Sequence, residues 1–238
     1  MVQSTTIILA LLYGLAMYRF SAWRTGRQLD ANSTELVDPA LTPLVRRMAR
    51  TLELPEIRVH VYEVDQVNGL AAPDGRIFIT RGFLRKYRTG EVSSDELASV
   101  IAHELGHVAL GHSRRRMIVF TGQNAFRATL MIALGRFLPF PPVLRWLSGR
   151  FADFVTSLFA AKLSRNDEFE ADAYAAALLV KTGIGIEPQT SLLRKLDDLS
   201  RTSARNIPAW FLSHPTARNR IEAIEALSAK WTGDRRKS

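Results

Sequence analysis

A chain of 238 residues with 47% hydrophobic side chains is long enough for one buried core and too apolar to be disordered. It has no cysteine, which excludes disulfides, thiolate ligands and a cysteine nucleophile, so any metal must be held by histidine and carboxylate. The 32 Lys+Arg against 23 Asp+Glu give a formal charge of +9, a sign suited to anionic lipid or nucleic acid. No zinc-finger spacing or RNA-binding aromatic signature is present, and nucleic acid is not expected as a partner.

In chain order, Thr5 to Tyr18 carries no charge. Extended from Val2 to Phe20, this run reaches the length of about 20 residues that a membrane span needs. Positive residues follow it at Arg19, Arg24 and Arg27, whereas a secretory signal would begin with them. The expectation is a single membrane anchor over 1–20 with the main domain on the cytoplasmic side. A cleaved signal or a buried helix is the alternative for this segment, and an exported, membrane-associated domain the alternative location; membrane lipid is an expected partner. Residues 21–37 are polar and read as a linker, 38–230 as the main domain and 231–238 as a basic tail.

Leu41, Leu44, Val45, Met48 and Leu52 recur near a helical period, with Thr42 as the expected N-cap, Pro43 at the first helical position and Pro55 as the stop. Ile57 to Val64 alternates as a strand, and Arg76 to Thr80 carries a β-rich Ile-Phe-Ile. Pro73-Asp74-Gly75 is a turn signal that makes a hairpin or adjacent strands the expectation. Ser93 and Glu96 form a capping box opening a helix expected to run past His112. Arg115 to Lys162 is apolar but interrupted by Arg127, Arg136, Arg145 and three prolines, and reads as two amphipathic helices that cover the domain or the lipid surface. Helices are expected from about Asn166 to Lys181, Pro188 to Leu199 and Pro215 to Lys230.

Chemistry concentrates in Ala102-His103-Glu104-Leu105-Gly106-His107. Residues four apart share a helix face, so His103 and His107 can aim ring nitrogens at one ion. Glu104, one residue on, can reach a water activated by that ion and serve as general base. Catalytic zinc needs a third protein ligand. His112 lies five residues after His107, and about 500° of continuous helix would turn it away from that face, so it is expected as a packing residue or a support behind the ligands. Downstream, Glu168 and Asp172 form the one Glu-x-x-x-Asp pair. Glu168 can ligate, while Asp172 can accept a hydrogen bond from the outer nitrogen of a ligand histidine. An acidic helix face would explain that pair alone; joined to the first motif, one Zn2+ per chain is the expectation.

These segments, Asp95 to His112 and Ser164 to Asp172, resemble the HtpX-like family of zinc endopeptidases, which includes the CAAX prenyl endopeptidases. The resemblance implies an α+β, mostly helical zincin-like fold with a small β-sheet, and a protein or peptide substrate. It further implies that Asn68, Gly69, Leu70 and Ala71 belong to a strand whose edge binds the substrate backbone. Ser213-His214-Pro215 with Arg220 matches another family element, so that His214 and Arg220 would stabilise the oxyanion. Family membership implies turnover of misfolded or membrane-associated proteins. The alternative is a non-enzymatic, zinc-stabilised chaperone or scaffold at the membrane, against which the intact Glu104 argues, because a structural site needs no base.

Overall fold

The computed structural model describes residues 2–72, 74–112, 114, 115, 118, 165–202 and 217–234. The chain divides into two compact units, Met1–Gln28 with Ser113–Leu163 and Leu29–His112 with Ser164–Ser238. The first unit holds most of helix α1 (Val2–Ala31), on which Leu12, Tyr13, Leu15, Phe20 and Trp23 are exposed. The Arg27 guanidinium sits 5.2 Å above the Trp23 ring, a cation–π contact. Residues 21–31 of the polar stretch continue this helix; they are rich in Ala, Arg, Gln and Leu, which favour it. No helix among the described residues is long and apolar enough to cross a membrane.

The second unit carries the sheet and six helices among its described residues. Strand β1 (Ser33–Glu35) is followed by α2 (Leu41–Thr51), β2 (Val59–Tyr62), β3 (Gly69–Ala71) and β4 (Ile77–Thr80). Then come α3 (Arg81–Arg88), α4 (Ser94–Ala109), α5 (165–181), α6 (Glu187–Thr202) and α7 (Ala217–Asp234). The expected mostly helical α+β architecture with a small sheet is borne out. The sheet order is β1-β2-β4-β3, which puts β3 at an edge. β2 runs parallel to β4, while β3 pairs antiparallel with it in the register Gly69↔Ile79, Leu70↔Phe78 and Ala71↔Ile77. The expected hairpin is therefore β3–β4. β1 has too few residues to show any alternation and was not expected.

Ile77, Phe78 and Ile79 are fully buried, each contributing about 1.5–3 kcal/mol by leaving water. Ile77 and Ile79 pack with Leu97, Ile101, Ala102, Ala175, Leu179, Leu196 and Ile224, so α4 lies in the middle of the core. Two caps differ from expectation. The N-cap position of α2 is Ala40, not Thr42, and Asp38 ahead of it accepts from the Ala40 and Leu41 backbone at 2.9 and 3.0 Å. The helix starts a residue before Thr42, which puts Pro43 third in the first turn, where its missing N–H costs nothing. α2 also stops before Pro55. Glu53 takes φ 55, and Glu53 and Leu54 return hydrogen bonds to Arg50 and Ala49, a Schellman closure.

The Ser93–Glu96 capping box forms with both hydrogen bonds, at 2.8 and 3.1 Å. Glu96 also accepts from Ser191 at 2.7 Å and Lys195 at 2.8 Å, tying the start of α4 to α6. α4 ends at Ala109 rather than past His112. Gly111 takes φ 68, a left-handed conformation that glycine adopts without strain, and the chain turns there. The expected helices over Arg115 to Lys162 lie almost wholly outside the described residues.

Candidate metal centre

α4 presents His103 and His107 one turn apart, and α5 brings Glu168 against them; all three are buried. The helices can meet this closely because Gly106 faces Ala171. A Cβ at position 106 would stand 3.0 Å from the Ala171 backbone. His103 Nε2 and His107 Nε2 are 3.2 Å apart. Glu168 places one oxygen 3.3 Å from His103 Nε2 and the other 3.4 Å from His107 Nε2. Ligands at about 2.0–2.1 Å from a tetrahedral ion stand about 3.3–3.4 Å from one another, so this donor set has the chemistry and spacing for zinc. Imidazole and carboxylate without thiolate, in a three-residue set, is also the composition of a catalytic rather than a structural site.

Each histidine has a partner behind it. His103 Nδ1 lies 3.0 Å from Asp172 Oδ1. Asp172 in turn is gripped by Arg220, whose Nε and Nη2 each approach a carboxylate oxygen at 2.6 Å, and Gln189 Nε2 donates to it at 3.2 Å. Burial disfavours ionisation of Asp172, but the Arg220 guanidinium outweighs it and holds the carboxyl well below the usual carboxylate range. Burial likewise opposes the charged form of His103, yet the hydrogen bonds its ring donates to Asp172 and Glu168 override it and lift its pKa to about 9. Arg220 is thus engaged behind His103. His107 Nδ1 lies 2.8 Å from His112 Nδ1, because the turn at Gly111 brings His112 back where a continuous helix would have carried it away.

Glu104 is buried beside β3. A Cβ built on Gly69 would meet Glu104 Oε1 at 3.1 Å and the Val100 side chain at 2.8 Å, so glycine is what lets the carboxylate lie against the strand. Gly69, Leu70 and Ala71 form β3, and Asn68 precedes it, its backbone N–H donating to Thr80 Oγ1 at 3.0 Å. His214 lies outside the described residues. Among the residues around the centre, Gln189 was not anticipated, while His112, expected to pack nearby or to support a ligand from behind, meets His107 in a direct ring-to-ring contact. The one signal for that contact was the glycine before His112, and for Gln189 there was none.

A buried carboxylate next in sequence to a metal-competent histidine suits proton transfer to and from water, and this arrangement is that of a metal-dependent hydrolase. Comparison with known proteins narrows the class. Residues 35–228 match Peptidase family M48, and the chain belongs to that family. It is 28% identical over 188 residues to metalloprotease LoiP of Escherichia coli K12, covering 77% of this chain and 68% of the relative. To a protease HtpX homolog of Gemmatimonas aurantiaca it is 28% identical over 262 residues, covering 93% and 89%. To the human mitochondrial metalloendopeptidase OMA1 it is 22% identical over 175 residues, 71% of this chain and 32% of the relative. The resemblance to HtpX-like peptidases is borne out. The chain is a metalloendopeptidase, and its family implies a metal, usually zinc.

Proposed function

We propose that the chain cleaves internal peptide bonds of misfolded or membrane-associated proteins, with zinc held by His103, His107 and Glu168 and with Glu104 as general base. The observation that carries this reading is the convergence of three buried side chains, their donor atoms about a tetrahedral ligand spacing apart, beside a glutamate outside the set. Zinc at such a site supplies Lewis acidity toward water and the scissile carbonyl.

The residues of the chain do the rest. The β3 edge over Gly69–Ala71 receives an extended substrate as an added strand and passes it along the side where Glu104 stands. Glu104 takes one proton from the attacking water as its oxygen forms the new C–O bond. The C–N bond breaks, and Glu104 delivers that proton to the leaving nitrogen. Asp172, clamped by Arg220 and Gln189, keeps the His103 ring in its ligating orientation. Arg220 is therefore assigned to positioning, and oxyanion stabilisation to His214 on the family resemblance alone. The exposed apolar and basic side chains of α1 support contact with anionic lipid.

The test is degradation of casein by the zinc-loaded chain beside Glu104→Gln. Cleavage by the wild type, a loss of at least about 100-fold in the variant, and full zinc in both are expected. Zinc-loaded wild type that leaves casein and other unfolded proteins intact would sink the reading.

A further inference from the structure

We propose that His112 is a positioning residue for the metal centre, fixing the ligand ring of His107 through one defined tautomer and passing its hydrogen bond on to Glu170. This rests on His107 being a metal ligand. His107 Nε2 is the nitrogen that faces His103 and Glu168, at 3.2 and 3.4 Å. A metal on that nitrogen leaves the ring's one proton on Nδ1. That N–H points at His112 Nδ1, 2.8 Å away, which must accept.

A neutral imidazole accepting at Nδ1 carries its own proton on Nε2. In His112 that nitrogen lies 3.0 Å from Glu170 Oε2, to which it donates, with Asp167 Oδ1 farther off at 3.9 Å. Each step follows from the one before, and His112 has no exposed surface through which water could supply another arrangement. The two ligand rings thus end on carboxylates: His103 directly on Asp172, His107 through His112 on Glu170.

The same tautomer decides a competing reading. His112, Asp167 and Glu170 also have ligand atoms within 4.8 Å of one another, a geometry that could hold a second ion. An ion on His112 Nε2 would leave the proton on Nδ1, facing the Nδ1–H of a metal-bound His107 across 2.8 Å. Two donors cannot share that contact, so filling the first centre closes the second.

The experiment uses the full chain, labelled with 15N and loaded with zinc, and reads the ring nitrogens of its five histidines by long-range 1H–15N correlation. His112, assigned by the signal missing in His112→Asn, is expected as the neutral Nε2–H form. The Nδ1–H form or an imidazolium there overturns the proposal. Zinc affinity by chelator competition supplies the second readout. His112→Phe keeps the ring and loses the acceptor, and is expected to weaken zinc about 10–100-fold. His112→Asn, with an oxygen near the place of Nδ1, is expected to recover most of that loss.

A folded Phe variant with wild-type affinity overturns the proposal. Should that variant not fold, Glu170→Ala at a half-exposed position carries the test: several-fold weaker zinc supports the relay, and unchanged affinity overturns it. Two zinc ions per wild-type chain also overturn it in favour of the second site. A wild type that binds no zinc sinks the metal-centre reading itself, whereas bound zinc with the wrong tautomer sinks only the relay.

Discussion

Arg220 is the largest fully buried side chain among the described residues, and it is charged. A guanidinium in that position is tolerable because Asp172 meets it with both oxygens while Glu168 and Glu104 add negative charge nearby. Removing one partner strands the other charge in a water-free site. Arg220→Gln is therefore expected to destabilise the zinc-free chain by about 3–5 kcal/mol, read from urea unfolding. Adding Asp172→Asn to the variant should restore part of that, since it removes the orphaned carboxylate. Equal unfolding midpoints for wild type and Arg220→Gln would show that the pair carries no such weight.

Among the elements, the contact of α4 with α5 decides whether three ligand atoms can converge. The closest approach is Gly106 on Ala171, where a Cβ would press on backbone that cannot rotate aside. Gly106→Ala should cost about 1–3 kcal/mol by overpacking and should weaken zinc by moving Glu168 away from the histidines. Zinc titration of this variant beside wild type is the measurement, and undiminished affinity would mean that the helices need not be so close. The end of α2 works in the other direction. Glu53 holds a left-handed conformation that costs a side chain about 1–2 kcal/mol, so Glu53→Gly is expected to raise the thermal midpoint without touching activity.

For the molecule as a whole, the centre links metal, protons and stability. The His103 pKa is raised to about 9, above an unfolded value of about 6.5. Its contribution to the zinc-free fold is therefore fully present below about pH 6.5 and lost as pH rises through about 9. Asp172 has the opposite sign: its depressed pKa contributes stability above about pH 4, lost only in stronger acid. Zinc-free protein should thus lose thermal stability between about pH 6.5 and 9 while zinc-loaded protein, whose His103 is already deprotonated, should not. Zinc uptake near pH 7.5 should release about one proton, measured by titration calorimetry in buffers of different ionisation enthalpy. Release of none would mean that His103 is neutral in the free chain.

Much of the centre was legible in the sequence because it is local. His103, Glu104 and His107 lie within two turns of one helix, and Glu168 with Asp172 on one face of another, so the helical period alone aligns them. The Ser93–Glu96 box and the turn before Arg76 are likewise short-range signals. What tertiary structure decided lies beyond such reach. Arg220 meets Asp172 across 48 residues, a distance over which no periodicity carries information, and which of the two histidines Asp172 stands behind, His103 across 69 residues, was left to the fold. The parallel pairing of β2 with β4 depends on the chain between them, and β1 exists only because β2 offers it an edge. His112 shows the division most plainly. Its spacing from His107 assigns it to another face for as long as the helix continues, and one glycine at a left-handed angle ends the helix and brings the ring back. Spacing along a chain determines direction only inside one regular element; where the element stops, packing determines it instead.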